Sequence, residues 1–276
     1  MSHAILRVCT LAATFAVGLM HEIPGEVRAE ERTTADRGAL TGRFLYDGTP
    51  RAPTAVSGNL MTHTDEVHEV PSAFLIRDNN LTDESLIVGP EHGIANILVW
   101  VRSPSIPQLL ENKREESTVR FVKGHLEPHV VAVVAPGELT LENGDETQTC
   151  NMNGSLNANE SWNRRLQPKE KVSVKLKDAE PVPCFIRGNM QPWLSACLFV
   201  RPNSYFAMTD KQGRFKIENL PPGEWEFQVW QERCGDLKTN DWPKGRFKMK
   251  IGAGEHNLGV VKLSPALFHE PVEAVP

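Results

Sequence analysis

Short runs of alternating apolar and polar residues, separated by turn residues, recur along most of this sequence. Residues 213–230 show the pattern clearly, because the alternating runs GRFKI and EWEFQVW flank the turn NLPPG. A period of two is typical of a strand with one buried face, whereas apolar residues of a helix recur every three or four positions. No helical period extends beyond one short turn near residues 107–113. The pattern therefore predicts an all-β chain built from sandwiches.

Further segments with strand character are found on both sides of this one. They are LTGRFLY, IANILVWVR, TVRFVKG, HVVAVVAPGELTLENGD, KVSVKLK and RFKMKIGAGEHNLGVVKL. The chain has 276 residues, of which 40% are hydrophobic and 24% charged, enough for one large domain or two smaller ones. Its net charge of −5 is spread without long runs, and no basic stripe indicates a nucleic-acid partner.

The N-terminus has the pattern of an export signal. Arg7 supplies an early positive charge, residues 11–20 form an apolar run too short to span a bilayer, and small residues precede a cleavage site at Ala29. We therefore expect a signal peptide over residues 1–29 and a polar linker over 30–37. A short membrane anchor is the alternative for the same pattern. No later segment is long and apolar enough to cross a membrane, which predicts a periplasmic or secreted protein.

Four cysteines follow the expected signal peptide. An even number of cysteines in an exported chain favours two disulfides. Spacing alone leaves all three pairings open among Cys150, Cys184, Cys197 and Cys234.

Residues 115–203 contain motifs of a known copper-protein fold. They include APGELTLENGD, the later KVSVKLK, and CFIRGNM, which reads Cys-x2-Arg-x2-Met. This segment resembles a cupredoxin, the Greek-key sandwich of small blue copper proteins. The whole chain resembles exported bacterial cupredoxin-like proteins, some of them methylamine-utilisation-like. The matching phrases are GALTGRFLYDGTP, LEPH and YFAMTDKQGRFKIENLPPGEWEFQVWQE.

A second resemblance concerns the rest of the chain. Residues 204–264, with TDKQGRFKIENLPPGEWEFQVW, resemble part of a carboxypeptidase-regulatory-like or carbohydrate-binding-like β-sandwich. Residues 38–104 look like its other part. The two resemblances imply a discontinuous transthyretin-like sandwich joined to a cupredoxin-like domain at 115–203, with a tail at 265–276.

The cupredoxin resemblance implies a copper site that has lost its ligands. A blue copper site uses two imidazoles, one thiolate and a weak axial thioether. Cys184 and Met190 occupy the thiolate and thioether positions, but Arg187 and Cys150 stand where the family has histidines. A guanidinium has no lone pair to give a metal. We therefore expect no cofactor, with copper as the alternative.

The same resemblance implies that the two cysteines at the former site face each other. We accordingly expect a Cys150–Cys184 disulfide, with Cys197–Cys234 as the remaining pair. The competing hypothesis keeps a metal, because the soft donors Cys150, Cys184 and Met190 suit Cu(I).

No motif of a catalytic nucleophile, metalloprotease, P-loop or dinucleotide site is present, which favours a protein that is not an enzyme. Trp193 and Trp242 fall in predicted loops, where they could stack on sugar rings or pack into a core. The sequence thus predicts an exported, non-enzymatic binding or structural protein of the cell envelope, with a protein or carbohydrate partner. Copper-based electron transfer or Cu(I) handling is one alternative, and a carbohydrate-binding module is another.

Overall fold

A computed structural model of the chain describes residues 36–50, 81–107, 117–189, 191 and 193–268. The described residues contain strands and two 3-10 helices, Pro90–His92 and Pro265–Phe268, but no α-helix, which confirms the all-β prediction. In chain order the strands are β1 Gly38–Tyr46, β2 Leu98–Val101, β3 Ser117–Val122, β4 His125–Glu127, β5 Val130–Val134, β6 Gly137–Asn143, β7 Cys150–Ser155, β8 Trp162–Leu166, β9 Lys171–Leu176, β10 Cys184–Arg187, β11 Ser195–Arg201, β12 Phe206–Met208, β13 Arg214–Leu220, β14 Gly223–Gln231, β15 Gly235–Asp236, β16 Arg246–Ile251 and β17 Gly254–Leu263.

Several predictions fall on residues outside these ranges. They concern the signal peptide at 1–29, most of the linker at 30–37, the thioether of Met190 and the end of the tail at 265–276. Within the described part of the chain, no helix has both the length and the apolar character needed to cross a bilayer.

The first sandwich pairs the beginning of the described chain with its end. Its first sheet has the order β13-β1-β17, with β1 antiparallel to β13 and parallel to β17. Its second sheet has the order β12-β2-β14-β15, and β16 pairs with β14. The apolar faces of the two sheets enclose one core, in which Leu40, Phe44, Val99 and Phe227 are fully buried. The buried alternate positions of β1 and β13 are those that the period of two predicts.

The second sandwich consists of the nine strands from β3 to β11. Its third sheet has the order β5-β11-β10-β7-β8, and its fourth sheet has the order β4-β3-β6-β9. Both sheets are mixed, because β5 runs parallel to β11 and β3 runs parallel to β6. Phe121, Leu141, Ile186 and Leu198 are fully buried between the sheets.

The outer face of the third sheet is partly covered by the second sheet. A smaller apolar cluster joins Leu98, Trp100 and Trp230 of the second sheet to Val130, Cys197 and Phe199 of the third. The rings of Trp100 and Phe199 lie 5.0 Å apart between centroids. The third-sheet members of this cluster come from β5 and β11, while the outer positions of β7 and β8 carry polar residues. A polar surface is therefore left beside the junction of the sandwiches.

Two details depart from the predictions. The buried run at residues 94–102 pairs as a strand only from Leu98, because Asn96 has a φ of 62° and interrupts the extended backbone. The segment CFIRGNM, expected to be a ligand loop, begins instead as strand β10, which lies between β7 and β11. The side chain of Arg187 therefore belongs to a sheet face and not to a loop.

Candidate ligand-binding cleft on the third sheet

The strand register separates the two cysteines that were expected to meet. In the antiparallel pair of β10 and β7, Phe185 lies opposite Ser155 and Arg187 lies opposite Asn153. Cys184 is therefore six positions away from Cys150 along the strand direction, or about 20 Å at 3.3 Å per residue. A disulfide needs Cα atoms within about 7 Å, and two ligands of one ion must be at least as close. The register thus brings these two thiols neither into a disulfide nor to one copper ion.

All four cysteines are free thiols in the structure, so neither expected disulfide is present. Burial raises the pKa of Cys150 and of Cys184 to about 12, and the nearby carboxylates of Asp145 and Glu180 respectively add to the effect. Burial also raises the pKa of Cys234 to about 11 and that of Cys197 well above its usual value. Because a thiolate is the nucleophilic form, these thiols are not activated for covalent chemistry at neutral pH.

The two tryptophans proposed for sugar stacking make contacts within the protein. Trp242 stacks on Phe247 with ring centroids 5.0 Å apart and meets Phe44 edge-on at 6.3 Å. It packs against the core of the first sandwich. Trp193 is half-buried, and its indole N–H donates to the carbonyl of Gly124 at 3.0 Å. Trp242 therefore packs against a core, as the alternative to sugar stacking predicts.

A cleft of about 420 Å³ opens on the outer face of the third sheet beside Arg187. Strands β7 and β10 form its floor, because the outer positions of β7 face those of β10 across the register. Among the described residues, its lining contains one cation, three amides, one hydroxyl and one thiol but no carboxylate; these residues are Asn153, Ser155, Asn157, Pro183, Cys184, Phe185, Arg187 and Asn189. The lining is thus polar, and Arg187 is the charged side chain among these residues.

The guanidinium of Arg187 is held by an aromatic ring rather than by an acid. Its central carbon lies 5.0 Å from the centroid of the half-buried Phe185, two residues earlier on the same face. Among the described residues, Arg187 has neither an ion pair nor a side-chain hydrogen bond. Cation–π contact restricts the side chain while leaving its N–H groups unused. The fork of donors is therefore available to a ligand.

The amides of the cleft also keep unused hydrogen-bonding atoms. The side chain of Asn153 donates to that of Asn189 at 3.2 Å, so each of these amides retains one atom for another partner. The backbone N–H of Asn189 donates to Asn151 at 2.9 Å, and Asn151 donates to Asn163 of β8 at 2.6 Å. This chain of amides ties the end of β10 to β7 and β8 and positions Asn189.

A buried carboxylate organises one wall of the cleft. Glu180 is 1% exposed and accepts hydrogen bonds from the backbone N–H groups of Asn157, Ala158 and Asn159, at 2.9 to 3.1 Å. The side-chain amide of Asn159 donates to it at 2.9 Å. Burial by itself raises the pKa of Glu180, but these hydrogen bonds outweigh it and leave the pKa below 4.5. The loop that carries Asn157 is therefore held by an ionised acid behind it.

A second polar cluster lies where the sandwiches meet. The imidazole of His129, which is 9% exposed, contacts Glu232 at 2.5 Å through Nε2 and Glu84 at 3.7 Å through Nδ1. Burial by itself lowers the pKa of His129, but Glu232, Glu84 and Asp83 outweigh it and raise the pKa above 6.5. The imidazole of His129 therefore lies between carboxylates from the loop before β2 and from the turn after β14, and these carboxylates favour its protonated form.

Reasoning from the sequence did not single out the residues that line the cleft, apart from Cys184 and Arg187. A usable signal was present, because the segment CNMNGS places Asn151, Asn153 and Ser155 at alternate positions. Such a period of two predicts a polar strand face. That face could be joined to Arg187 only after the pairing of β7 with β10 was known.

Metal donors are not grouped in the described part of the chain. No set of three or more His, Cys, Asp or Glu side chains is arranged there to hold a metal ion. The thiols that were expected to bind one Cu(I) ion are also far apart, since Cys150 and Cys184 lie at opposite ends of the β7–β10 pair.

Comparison with known proteins gives only distant likenesses. No protein-family model matches the chain, and no curated protein matches it. Among solved structures, a copper-containing nitrite reductase from Thermus scotoductus is 14% identical, over 36% of this chain and 27% of that one, with a TM-score of 0.29. The match thus spans about a quarter of the reductase.

Amicyanins give the same level of similarity. An oxidised amicyanin with a single proline-to-glycine substitution is 13% identical over 37% of this chain and 98% of its own, with a TM-score of 0.28. Amicyanin from Paracoccus versutus is 11% identical over 37% and 97%, also at 0.28. Scores this low carry no argument about this chain, whose all-β class rests on its own strands.

Proposed function

We propose that this protein is an exported, non-enzymatic binding protein, and that the cleft between β7 and β10 is its ligand site. The observation that carries the proposal is the lining of the cleft, where the guanidinium of Arg187, which has no ion pair within the described part of the chain, is surrounded by amide and hydroxyl groups. Convergent polar groups in a concave surface are typical of small-molecule sites. Export rests on the N-terminal pattern of the sequence. The partner acts from the periplasm or the cell exterior.

The chemistry of the lining favours binding over catalysis. Of its two potential nucleophiles, Cys184 has a pKa raised to about 12 by burial and by Glu180, and Ser155 has neither a histidine nor a carboxylate among the described lining residues to act as its base. An activated cysteine instead has a lowered pKa and a nearby base. Binding requires only donors and acceptors in fixed positions, which Arg187 and its neighbouring amides supply.

The geometry gives the copper alternatives less support. Electron transfer through blue copper needs imidazole ligands, but among the described residues no histidine lines the cleft beside Cys184. Cu(I) handling needs two or more soft donors at one point, and Cys150 and Cys184 lie about 20 Å apart along the strands. A Cu(I) titration under reducing conditions separates the two functions. Tight binding that Cys150→Ser and Cys184→Ser each abolish would favour the copper function.

A thermal-shift screen of the purified chain tests the proposed site. A ligand present at 100 times its Kd raises the free energy of unfolding by about 2.7 kcal/mol, which is a readily measured shift. The screen should contain organic acids, neutral sugars, sugar acids, nucleotides and short peptides. We expect at least one class to stabilise the wild-type chain but not the Arg187→Gln variant.

The matched control is Arg164→Gln. Arg164 is an exposed arginine of β8 that does not line the cleft, so its loss removes the same charge at another place. Stabilisation that survives in Arg187→Gln but disappears in Arg164→Gln would place the binding site elsewhere. A screen without any stabilising compound would also contradict the proposal.

A further inference from the structure

We infer that the ligand of the cleft is a hydroxylated carboxylate, the chemical class to which uronic acids belong. The inference rests on the proposed function and adds the substrate class to it. It follows from the kind, number and arrangement of the unused polar atoms around Arg187.

The single cation selects for a planar anion. A guanidinium presents a rigid fork of N–H donors, which matches the two oxygens of a carboxylate. Phe185 contacts this fork through a cation–π interaction at 5.0 Å, which favours one orientation of the side chain before a ligand binds. Among the described residues no acidic side chain lines the cleft, and the carboxylate of Glu180 behind its wall already accepts hydrogen bonds from residues 157–159. The fork of Arg187 is therefore free to bind one carboxylate.

The remaining groups select for hydroxyls beside that charge. Asn153 and Asn189 each keep one amide atom after their mutual hydrogen bond, and Ser155 adds a hydroxyl. Amide and hydroxyl groups offer both donors and acceptors, as a hydroxyl ligand requires. An inorganic anion would use the arginine and leave most of these atoms hydrated by water, as they are in the free protein.

The size of the cleft agrees with a ligand larger than a simple ion. Its volume of about 420 Å³ lies within the usual range for small-molecule sites. At about 30 Å³ per molecule in the liquid, that space corresponds to about 14 waters. A lone anion would fill only a small part of it.

The position of the cleft disfavours an extended peptide. Peptides commonly bind by adding a strand to an exposed sheet edge. Strand β7 already pairs with β8 and β10, and β10 already pairs with β7 and β11. Their backbone groups are therefore engaged, and only side chains of the sheet face are offered to a ligand.

Titration of the isotope-labelled chain with four probes tests the inference by amide chemical shifts. The probes are glucuronate, glucose, acetate and inorganic phosphate. We expect glucuronate to shift the side-chain amide signals of Asn153 and Asn189 and to bind at least about tenfold more tightly than each other probe, because it alone uses both the fork and the amides.

Two variants test separately the contact with the carboxylate of the ligand and the contact with its hydroxyls. Arg187→Gln should lower the affinity for glucuronate at least about tenfold and remove its advantage over glucose. Ser155→Ala should weaken glucuronate and leave any binding of acetate unchanged. The control Arg164→Gln should bind as the wild type does, and all three positions are exposed, so the variants should fold.

Some results would overturn the inference. Acetate or phosphate binding as tightly as glucuronate would identify a simple anion site, and glucose binding as tightly would remove the role of the charge. If none of the four probes shifts the side-chain amide signals of Asn153 and Asn189, the proposed ligand class is wrong. The proposed function would then survive only if another compound of the screen bound in a manner dependent on Arg187.

Discussion

The buried carboxylate of Glu180 permits a quantitative prediction for Glu180→Gln. The variant keeps the shape of the side chain but removes its charge and replaces one acceptor oxygen by an NH2 donor. That donor would face backbone N–H groups of residues 157–159, which now donate to Glu180. Hydrogen bonds to a charged group contribute about 1.5–3 kcal/mol each, and a buried donor left without a partner costs about 1–3 kcal/mol.

Because the affected hydrogen bonds share one loop, their contributions are not additive. We expect a loss of about 3 kcal/mol in the free energy of unfolding at pH 7. For a chain of this size, that loss lowers the Tm by about 6–12 °C. Calorimetric melting of both proteins measures the difference. The matched control is Glu138→Gln on the exposed side of β6, which should change stability by less than about 0.5 kcal/mol.

The same variant has a defined dependence on pH. The folded-state pKa of Glu180 lies below the usual value of 4.5, so its ionised form stabilises the fold above that pH. This contribution is lost as the pH falls through the folded-state pKa, and the difference between wild type and variant should then shrink. A variant that melts within about 1 °C of wild type at pH 7, or a difference that persists in acid, would refute the argument.

Three other groups in the structure give predictions of their own. The pKa of His129 is raised, so its charge stabilises the fold fully below about pH 6.5 and less as the pH rises through the folded-state pKa. Melting curves should show this decline in wild type and not in His129→Gln, and identical profiles would contradict it. Alkylation of the unreduced, unfolded protein should label both Cys150 and Cys184, whereas a mapped Cys150–Cys184 peptide would show that the strand register is different. Trp242→Ala should lower the free energy of unfolding by about 2–3 kcal/mol through lost aromatic packing. A stable variant that loses polysaccharide retention would instead support a sugar-stacking role.

The strands were more predictable than the site. Alternation identified β1 and β13 because one face of each strand is buried in the core of their own sandwich. It also identified β14, although the second half of that strand is buried on both faces. It did not identify β7, β8 or β10, whose outer faces carry asparagine and arginine. The segment CFIRGNM, which begins with β10, suggested a metal loop instead. Resemblance to copper proteins placed Cys150 beside Cys184, an arrangement that depends on register. A shift of a few residues in register moves a thiol by many ångströms without changing the local pattern.

Two properties follow from the order of residues alone. Alternating short segments require strands, because only a period of two buries one face of each segment. The guanidinium of Arg187 cannot be a copper ligand, because it has no lone pair to give a metal, whatever the fold does around it. Both conclusions concern local chemistry, which neighbouring residues in the chain determine.

The tertiary structure decided the rest. Asn153 and Arg187 are 34 positions apart in the chain and face each other only because β7 pairs with β10. Cys150 and Cys184 are separated by that same pairing. Glu232 reaches His129 only because the two sandwiches pack together. In each case a hydrogen-bonded register or a packed interface sets the distance, and neither is specified by the alternation within a single strand.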